Sequence, residues 1–223
     1  LINVQNITHN DFQPYSWNGG SIIAISGDSY VVLACDNRMS EGYIIHSRNT
    51  SKIQKLTDKL YIAICGFHGD ASAFLKILDI KIKNYQKNHK KVMSVTSAAQ
   101  LISNTLYSHR FFPYYTYIIL AGIDEHGKGA VFSYDPVGSY ERVTCRASGS
   151  GAAIIQPILD NQISLKNQNN PQSFLHDPLS VAKFVHDVFC SATERDIYTG
   201  DSGTLVMLNA VEEKVEAFNL RAD

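Results

Sequence analysis

Residues 18–36 constrain the fold most, because they predict two apolar β-strands joined by a tight turn. Residues 21–25 and 30–34 are rich in β-branched and other apolar side chains, and the Ser-Gly-Asp-Ser sequence at 26–29 is typical of a turn. A Gly-Gly pair stands immediately before the first strand, and Asp36 follows the second. We therefore expect both strands to be well buried and the rest of the domain to be built around them.

Length and composition favour a single domain. The 223 residues are 44% hydrophobic, which is enough for one sizeable core, and no composition shift or repeat divides them. The 20 Lys and Arg residues nearly balance the 21 Asp and Glu residues, so the basic excess typical of proteins that bind nucleic acid or anionic membranes is missing. No apolar run approaches the ~20 residues of a membrane span. We expect neither nucleic acid nor a membrane as a partner.

The cysteines are widely spaced, and no Cys-x-x-Cys pair or adjoining histidine suggests a zinc site. A disulfide framework is the alternative, but a chain of this length does not need such cross-links. Buried thiols in a reducing compartment are the favoured interpretation, which predicts a location in the cytoplasm and nucleus. Neither a metal nor another cofactor is expected. The four residues concerned are Cys35, Cys65, Cys145 and Cys190.

Further strands and two pairs of helices are predicted along the chain. Apolar side chains recur at helical spacing after Asp70 and after Ser94, a favourable N-cap, and a third helix follows residues 148–151. The last helix is expected to begin at Asp177 or Ser180. This order predicts an α+β domain in which each helix pair covers one face of stacked antiparallel sheets. The other apolar runs predict strands at 43–46, 60–65, 130–134, 139–147, 204–208 and 214–218, with one more ending at residue 122.

Five other residues have both a functional and a structural interpretation. Lys52 lies sixteen residues beyond Asp36, and a lone lysine in a loop is normally a solvated charge. Gly66, at the end of a predicted strand, is also explained as a turn glycine with positive φ. Ser150, in a Ser-Gly-Ser-Gly stretch, is equally well explained as a helix cap. Asp196 and Thr199 could close the preceding helix through local hydrogen bonds.

Several motifs together resemble the β-type subunits of the proteasome core particle. They are the Gly-Gly pair before a hydroxyl residue, Asp36 followed by Asn-Arg, and the long segments 110–115 and 135–142, which are similar to a ring member that has no active site. The resemblance extends from about residue 14 to the end of the sequence. It implies the four-layer α/β/β/α sandwich of two antiparallel sheets known as the N-terminal nucleophile hydrolase fold.

In that family a threonine hydroxyl attacks a peptide carbonyl, and the freed α-amine of the same residue is the general base. Sixteen residues before Asp36, where the family keeps this threonine, the chain has Gly20; Ser21 would stand there only if the turn were one residue shorter. Neither residue is threonine. The resemblance also implies a catalytic-type lysine, an oxyanion-hole glycine, a serine beside the nucleophile and a pair that supports the amine, at Lys52, Gly66, Ser150, and Asp196 with Thr199.

The predicted function is therefore that of a non-catalytic subunit of the β ring, with these residues as remnants of an ancestral site. The alternative is an active serine-type peptidase that uses Ser21 after cleavage behind Gly20. Expected partners are other β-type subunits of the same and the opposite ring, and the α-type ring. Residues 1–20 are expected to be a retained N-terminal extension, whose many apolar side chains pack against the domain or a neighbour, and residues 21–223 to be one domain.

Overall fold

A computed structural model of the chain describes residues 14–165, 167–169 and 177–223. Two five-stranded antiparallel sheets and one short hairpin are flanked by four α-helices. The strands are β1 (Ser21–Ser26), β2 (Tyr30–Asp36), β3 (Met39–Glu41), β4 (Ile44–Ser47), β5 (Ile53–Thr57), β6 (Leu60–Gly66), β7 (Thr116–Ile123), β8 (Gly129–Tyr134), β9 (Tyr140–Val143), β10 (Cys145–Gly149), β11 (Ser202–Asn209) and β12 (Glu213–Asn219). The helices are α1 (His68–His89), α2 (Val95–Tyr107), α3 (Ala152–Leu159), extended by a π-helical turn (Asp160–Ser164), and α4 (Pro178–Thr193).

The predicted hairpin lies at the centre of the first sheet. The strand order is β10-β1-β2-β11-β12 in this sheet and β5-β6-β7-β8-β9 in the second, while β3 and β4 pair separately. Every residue of β2 is buried, as is every residue of β1 except Ser26. The prediction that both strands are buried is therefore confirmed.

Three apolar clusters stack the elements into four layers. Alternate residues of β1 and β2, such as Ile22 and Leu33, meet β6, β7 and β8 between the two sheets. The opposite faces of β1 and β2 pack against α3 and α4, with Phe189 fully buried. Helices α1 and α2 cover the outer face of the second sheet, where Phe74 is fully buried. The predicted α+β, four-layer α/β/β/α arrangement is confirmed.

The single strand predicted over residues 139–147 is wrong. It is two strands in different sheets: β9 pairs with β8, and β10 pairs with β1. The chain passes between the sheets at Thr144, so that Cys145 and Ala147 enter the core beside α3 and α4. Strands β3 and β5 were missed because they are short and only partly buried, so their sequences show little apolar periodicity. The polar loop predicted over 162–174 begins with the π-helical turn, and much of its remainder lies outside the described residues.

An exposed aromatic surface surrounds the link between α2 and β7. Phe111 is 93% and Phe112 62% exposed, and Tyr15 and Trp17 of the N-terminal segment lie against the same group of rings. The apolar residues before position 14 lie outside the described part of the chain. No helix among the described residues has the length and apolar character needed to cross a membrane.

Because large contiguous apolar patches promote association, we expect the isolated chain to be poorly soluble and polydisperse. Size-exclusion chromatography with light scattering on the chain expressed alone measures this. Phe111→Ser combined with Phe112→Ser should increase the monomer fraction, whereas Val211→Ser, in the exposed turn between β11 and β12, should leave it unchanged. A stable, monodisperse monomer of the unmodified chain would contradict this expectation.

Candidate functional site

A buried ion pair lies where β1 begins and β2 ends. The backbone N–H of Ser21 donates to Asp36 Oδ1 over 2.7 Å. Lys52 Nζ donates to the same carboxylate oxygen over 3.0 Å and to the carbonyls of Asp36 and Arg38 over 2.8 and 2.7 Å. The Asp36 side chain is 0% and that of Lys52 9% exposed. Lys52 is therefore not the solvated loop charge that its sequence context alone favours.

Position 20 faces this ion pair. A Cβ on Gly20 would lie 2.1 Å from Lys52 Cε, 2.6 Å from Lys52 Nζ and 2.9 Å from Asp36 Oδ1. A side chain at residue 20, sixteen residues before Asp36, would therefore project directly at the lysine. Glycine provides no hydroxyl there.

Ser21 projects to the other side of the strand, as alternate residues of a β-strand do. Its hydroxyl oxygen accepts from the Gly151 N–H over 2.9 Å and lies 2.7 Å from Thr199 Oγ1, and the residue is 0% exposed. The Thr199 hydroxyl itself donates to Asp196 Oδ2 over 2.6 Å, so it accepts the Ser21 proton. The structure therefore does not support the shorter-turn alternative, in which Ser21 would occupy the position facing Lys52.

Ser150, Asp196 and Thr199 form a second hydrogen-bonded group behind residues 20 and 21. Ser150 Oγ donates to Asp196 Oδ2 over 2.7 Å, and the Ser150 N–H donates to the Gly20 carbonyl over 3.0 Å. The N-cap of α3 is Gly151, without a side-chain hydrogen bond, so the cap interpretation of Ser150 is wrong. The predicted local hydrogen bond from Thr199 to Asp196 is present. The same carboxylate oxygen also accepts from Ser150, which is distant in sequence.

Burial dominates the electrostatics of the ion pair. It raises the pKa of the Asp36 carboxyl, while the Lys52 ammonium and the Ser21 N–H act in the opposite direction. Burial likewise raises the pKa of Cys35 to about 11 and that of Cys65 to about 12, so neither neighbouring thiol is a nucleophile at neutral pH. Within the described ranges no group of three or more His, Cys, Asp or Glu side chains is placed to hold a metal ion.

Gly66 ends β6 with φ +111°, and a Cβ there would lie 2.5 Å from the Tyr115 carbonyl oxygen. The positive φ expected of a turn glycine is confirmed, whereas a role in an oxyanion hole stays a prediction. Gly66 also lines a cavity of about 450 Å³ beside Gly19, Trp17 and residues 147–150. The cavity therefore adjoins the position where a nucleophile at residue 20 would stand.

Arg38, for which no role was predicted from the sequence, contacts both parts of the site: its carbonyl accepts from Lys52 Nζ, and its guanidinium bonds to the segment that follows Asp196. The residue is 3% exposed; its Nε donates to Asp201 Oδ2 over 2.8 Å, and its Nη1 donates to the Ile197 carbonyl over 2.9 Å. Burial acts to raise the pKa of Asp201, but hydrogen bonds from Arg38 and Arg48 outweigh it and lower the pKa. Arg38 lies two residues after Asp36, and Asp201 lies two residues after Thr199, so their closeness in sequence to candidate residues was the available signal.

Comparison with known proteins identifies the family. A family model described as proteasome subunit matches residues 17–208. The chain is 46% identical to the zebrafish (Danio rerio) proteasome subunit beta type-1 over 215 residues, which covers 95% of this chain and 90% of that protein. It is 49% identical to the Arabidopsis thaliana proteasome subunit beta type-1, covering 96% and 98%, and 42% identical to the Saccharomyces cerevisiae proteasome subunit beta type-6, covering 95% and 92%. The chain therefore belongs to the proteasome subunit family and, within it, to the β-type subunits.

Proposed function

We propose that the protein is a non-catalytic subunit of the proteasome β ring, which contributes to assembly and to the chamber where proteins are degraded in an ATP- and ubiquitin-dependent manner. One observation carries the absence of catalysis: the residue that faces the Lys52–Asp36 ion pair is Gly20, which has no hydroxyl. Without a nucleophile at that position, the lysine and the Ser150–Asp196–Thr199 group have no reacting atom to assist.

The alternative, a serine-type peptidase using Ser21, is less well supported by the geometry. In the intact chain the Ser21 nitrogen is a peptide amide, whose lone pair is delocalised into the carbonyl and cannot act as a base. Its hydroxyl is buried, donates to Thr199 and accepts from the Gly151 N–H. Even after cleavage behind Gly20, the hydroxyl would point away from Lys52.

As a member of the family, the chain assembles with other proteasome subunits. We propose as partners the β-type subunits of its own and the opposite ring, and the α-type ring. We further propose a location in the cytoplasm and nucleus, supported by the finding that none of the four cysteines, all of which the structure describes, forms a disulfide.

Replacing Lys52 with alanine tests the non-catalytic assignment. Each peptidase activity of the particle, measured with its own fluorogenic substrate and expressed per assembled particle, should equal that of the parent. The positive control is the same replacement at the corresponding lysine of a ring subunit that begins with threonine, which should abolish one activity. Selective loss of one activity in the Lys52→Ala particle, with normal subunit composition, would contradict the proposal.

A further inference from the structure

Another cavity, of about 390 Å³, opens at the end of the first sheet that lies away from Asp36. Tyr30, the first residue of β2, lines this cavity, whereas Asp36 is the last residue of the same strand. An extended strand rises about 3.3 Å per residue, so the cavity is roughly 20 Å from the candidate site. Its volume falls within the range of small-molecule sites in proteins.

One face of the sheet forms the floor of this cavity, and the start of α4 forms a wall. Asn209 pairs with Tyr30, and Lys214 pairs with Met207. Because paired residues and every second residue along a strand share a face, these four side chains lie on the same side of the sheet. Tyr30 and Met207 belong to the core beneath α4, so the floor of the cavity is preformed. The wall consists of Asp177, Pro178 and Leu179.

The Tyr30 hydroxyl is a polar group that the fold leaves open to this cavity. Tyr30 is 7% exposed, and among the described residues its hydroxyl has no hydrogen-bond partner. The unpartnered side-chain atoms in that part of the chain that are completely closed off belong to Ser40, Thr116 and Arg146, so the Tyr30 hydroxyl opens into the cavity. Buried polar groups nearly always have a partner, and this hydroxyl is therefore available to a bound molecule.

The charges beside Tyr30 favour a cation over an anion. Burial raises the pKa of the Tyr30 hydroxyl, and the carboxylates of Asp177 and Asp28 raise it further. The hydroxyl therefore stays neutral and can accept a hydrogen bond from an ammonium group. Hydrogen bonds from Ser180 lower the pKa of Asp177, so this carboxylate is ionised at neutral pH.

Glu212 adds a second carboxylate to the lining of the cavity. Its side chain makes no hydrogen bond or ion pair with the described residues. Lys214 is the only cation among the described residues that line the cavity, and its Nζ lies 2.5 Å from Glu216 Oε1. The net charge that faces the cavity is therefore negative.

From this geometry we infer that the cavity binds a small arylalkylamine, a molecule with one ammonium group on an aromatic body. The ammonium group donates its three N–H bonds to the Tyr30 hydroxyl and to the carboxylates of Asp177 and Glu212. The ring packs on Leu179 and on Met207, because thioethers make favourable contacts with aromatic rings. This inference does not rest on the proposed function, since the cavity contains neither Lys52 nor its partners.

Photolabelling of the assembled particle tests the inference. The probe is phenethylammonium with a diazirine on its ring, and mass analysis of the digested subunits maps where it attaches. In the parent particle it should label residues 177–179 and 207–214 of this chain. An excess of phenethylammonium should suppress this labelling, whereas phenylpropionate, which has the same body and an anionic head group, should not.

Two variants separate binding from folding. Tyr30→Phe removes a hydroxyl that bonds to none of the described residues, so hydrogen exchange of β2 should keep the parent's rate, while the probe concentration for half-maximal labelling rises about 3-fold or more. Asp177→Asn combined with Glu212→Gln should raise that concentration roughly 3- to 10-fold, and Asn still caps α4. The matched control is Tyr43→Phe, at a residue that is 97% exposed and outside the cavity, and it should change neither quantity.

Labelling of the parent at these residues that only the ammonium compound suppresses, and that both variants weaken, would establish the site. Three results would overturn the inference. They are no labelling of these residues in the parent, equal suppression by phenylpropionate, and an unchanged half-maximal concentration in the two variants.

Discussion

Replacing Asp36 with alanine is expected to lower the free energy of unfolding by about 3–5 kcal/mol, the usual cost of leaving a buried charge without its partner. The Asp36 carboxylate is fully buried and accepts from the Ser21 N–H, the Arg38 N–H and the Lys52 ammonium. The variant leaves the buried Lys52 ammonium with only carbonyl acceptors. Hydrogen exchange of the β1 and β2 amides in the assembled particle measures this loss of stability, because amides of core strands exchange only when a large part of the domain opens.

A double-mutant cycle that combines Asp36→Ala with Lys52→Met measures the interaction energy of the ion pair. The double variant should be less destabilised than the sum of the two single variants, by roughly 1–3 kcal/mol, because it buries no unpaired charge. The matched control is the exposed pair Lys83–Asp79, whose charged atoms lie 2.7 Å apart against 3.0 Å for Lys52 and Asp36, and whose disruption should cost only about 0.3–0.5 kcal/mol. Additive losses at Asp36 and Lys52 would show that the ion pair does not contribute as described.

The loss in free energy of unfolding caused by Lys52→Met should also depend on pH. Burial raises the folded-state pKa of Asp36, and the variant removes the ammonium that opposes this shift. Between the unfolded and the raised folded pKa, the folded state binds more protons than the unfolded state, so stability falls as the pH rises through that window and recovers as the pH falls. Exchange rates measured at several pH values, corrected for intrinsic exchange, should show the variant approaching the parent at low pH.

Replacing Gly149 with alanine should be about as damaging, although it changes no charge. A Cβ there would lie 2.0 Å from the Gly20 carbonyl oxygen and 3.1 Å from Ser21 Cα, and φ is +99°. Overpacking against backbone costs about 1–3 kcal/mol and the strained φ about 1–3 kcal/mol more, so a total loss of about 2–6 kcal/mol is expected. Exchange of the β1 and β10 amides is the measurement.

Gly127→Ala separates the two causes. Gly127 also has a positive φ, +76°, but no atom lies within 4 Å of its added Cβ, so only the conformational strain applies. It should cost no more than about 1–3 kcal/mol and leave β1 unaffected. If Gly149→Ala and Gly127→Ala lowered the free energy of unfolding equally, the close contact between residue 149 and the Gly20 carbonyl would not contribute to the loss.

Much of this architecture could be predicted because apolar patterning is strong where strands are buried. The hairpin of β1 and β2 is an example, since nearly every residue is in the core. Gly20 lies beside Asp36, sixteen residues later in the sequence, because antiparallel pairing of the two strands brings the start of β1 next to the end of β2. Asp177 and Ser94 cap their helices as their residue types predict.

The errors have a common physical origin in contacts between residues distant in sequence. The sequence around Thr144 does not show where β9 ends and β10 begins. The chain breaks there because β9 pairs with β8 in one sheet and β10 pairs with β1 in the other. Ser150 resembles a helix cap, yet it bonds to Asp196, forty-six residues away. The His68 N–H at the start of α1 donates to Asn18 Oδ1, fifty residues earlier in the sequence, and this contact was missed for the same reason.

The most direct test of the non-catalytic assignment is covalent labelling of the assembled particle with a peptide epoxyketone, followed by mass analysis of each subunit. The reagent forms its adduct with a hydroxyl and a free amine on the same residue. Gly20 has no hydroxyl, and the Ser21 hydroxyl is buried against Thr199 and the Gly151 N–H. We predict adducts on other β-type subunits and none on this chain. An adduct mapped to Ser21 by peptide mass spectrometry would contradict the assignment and establish a serine-type peptidase.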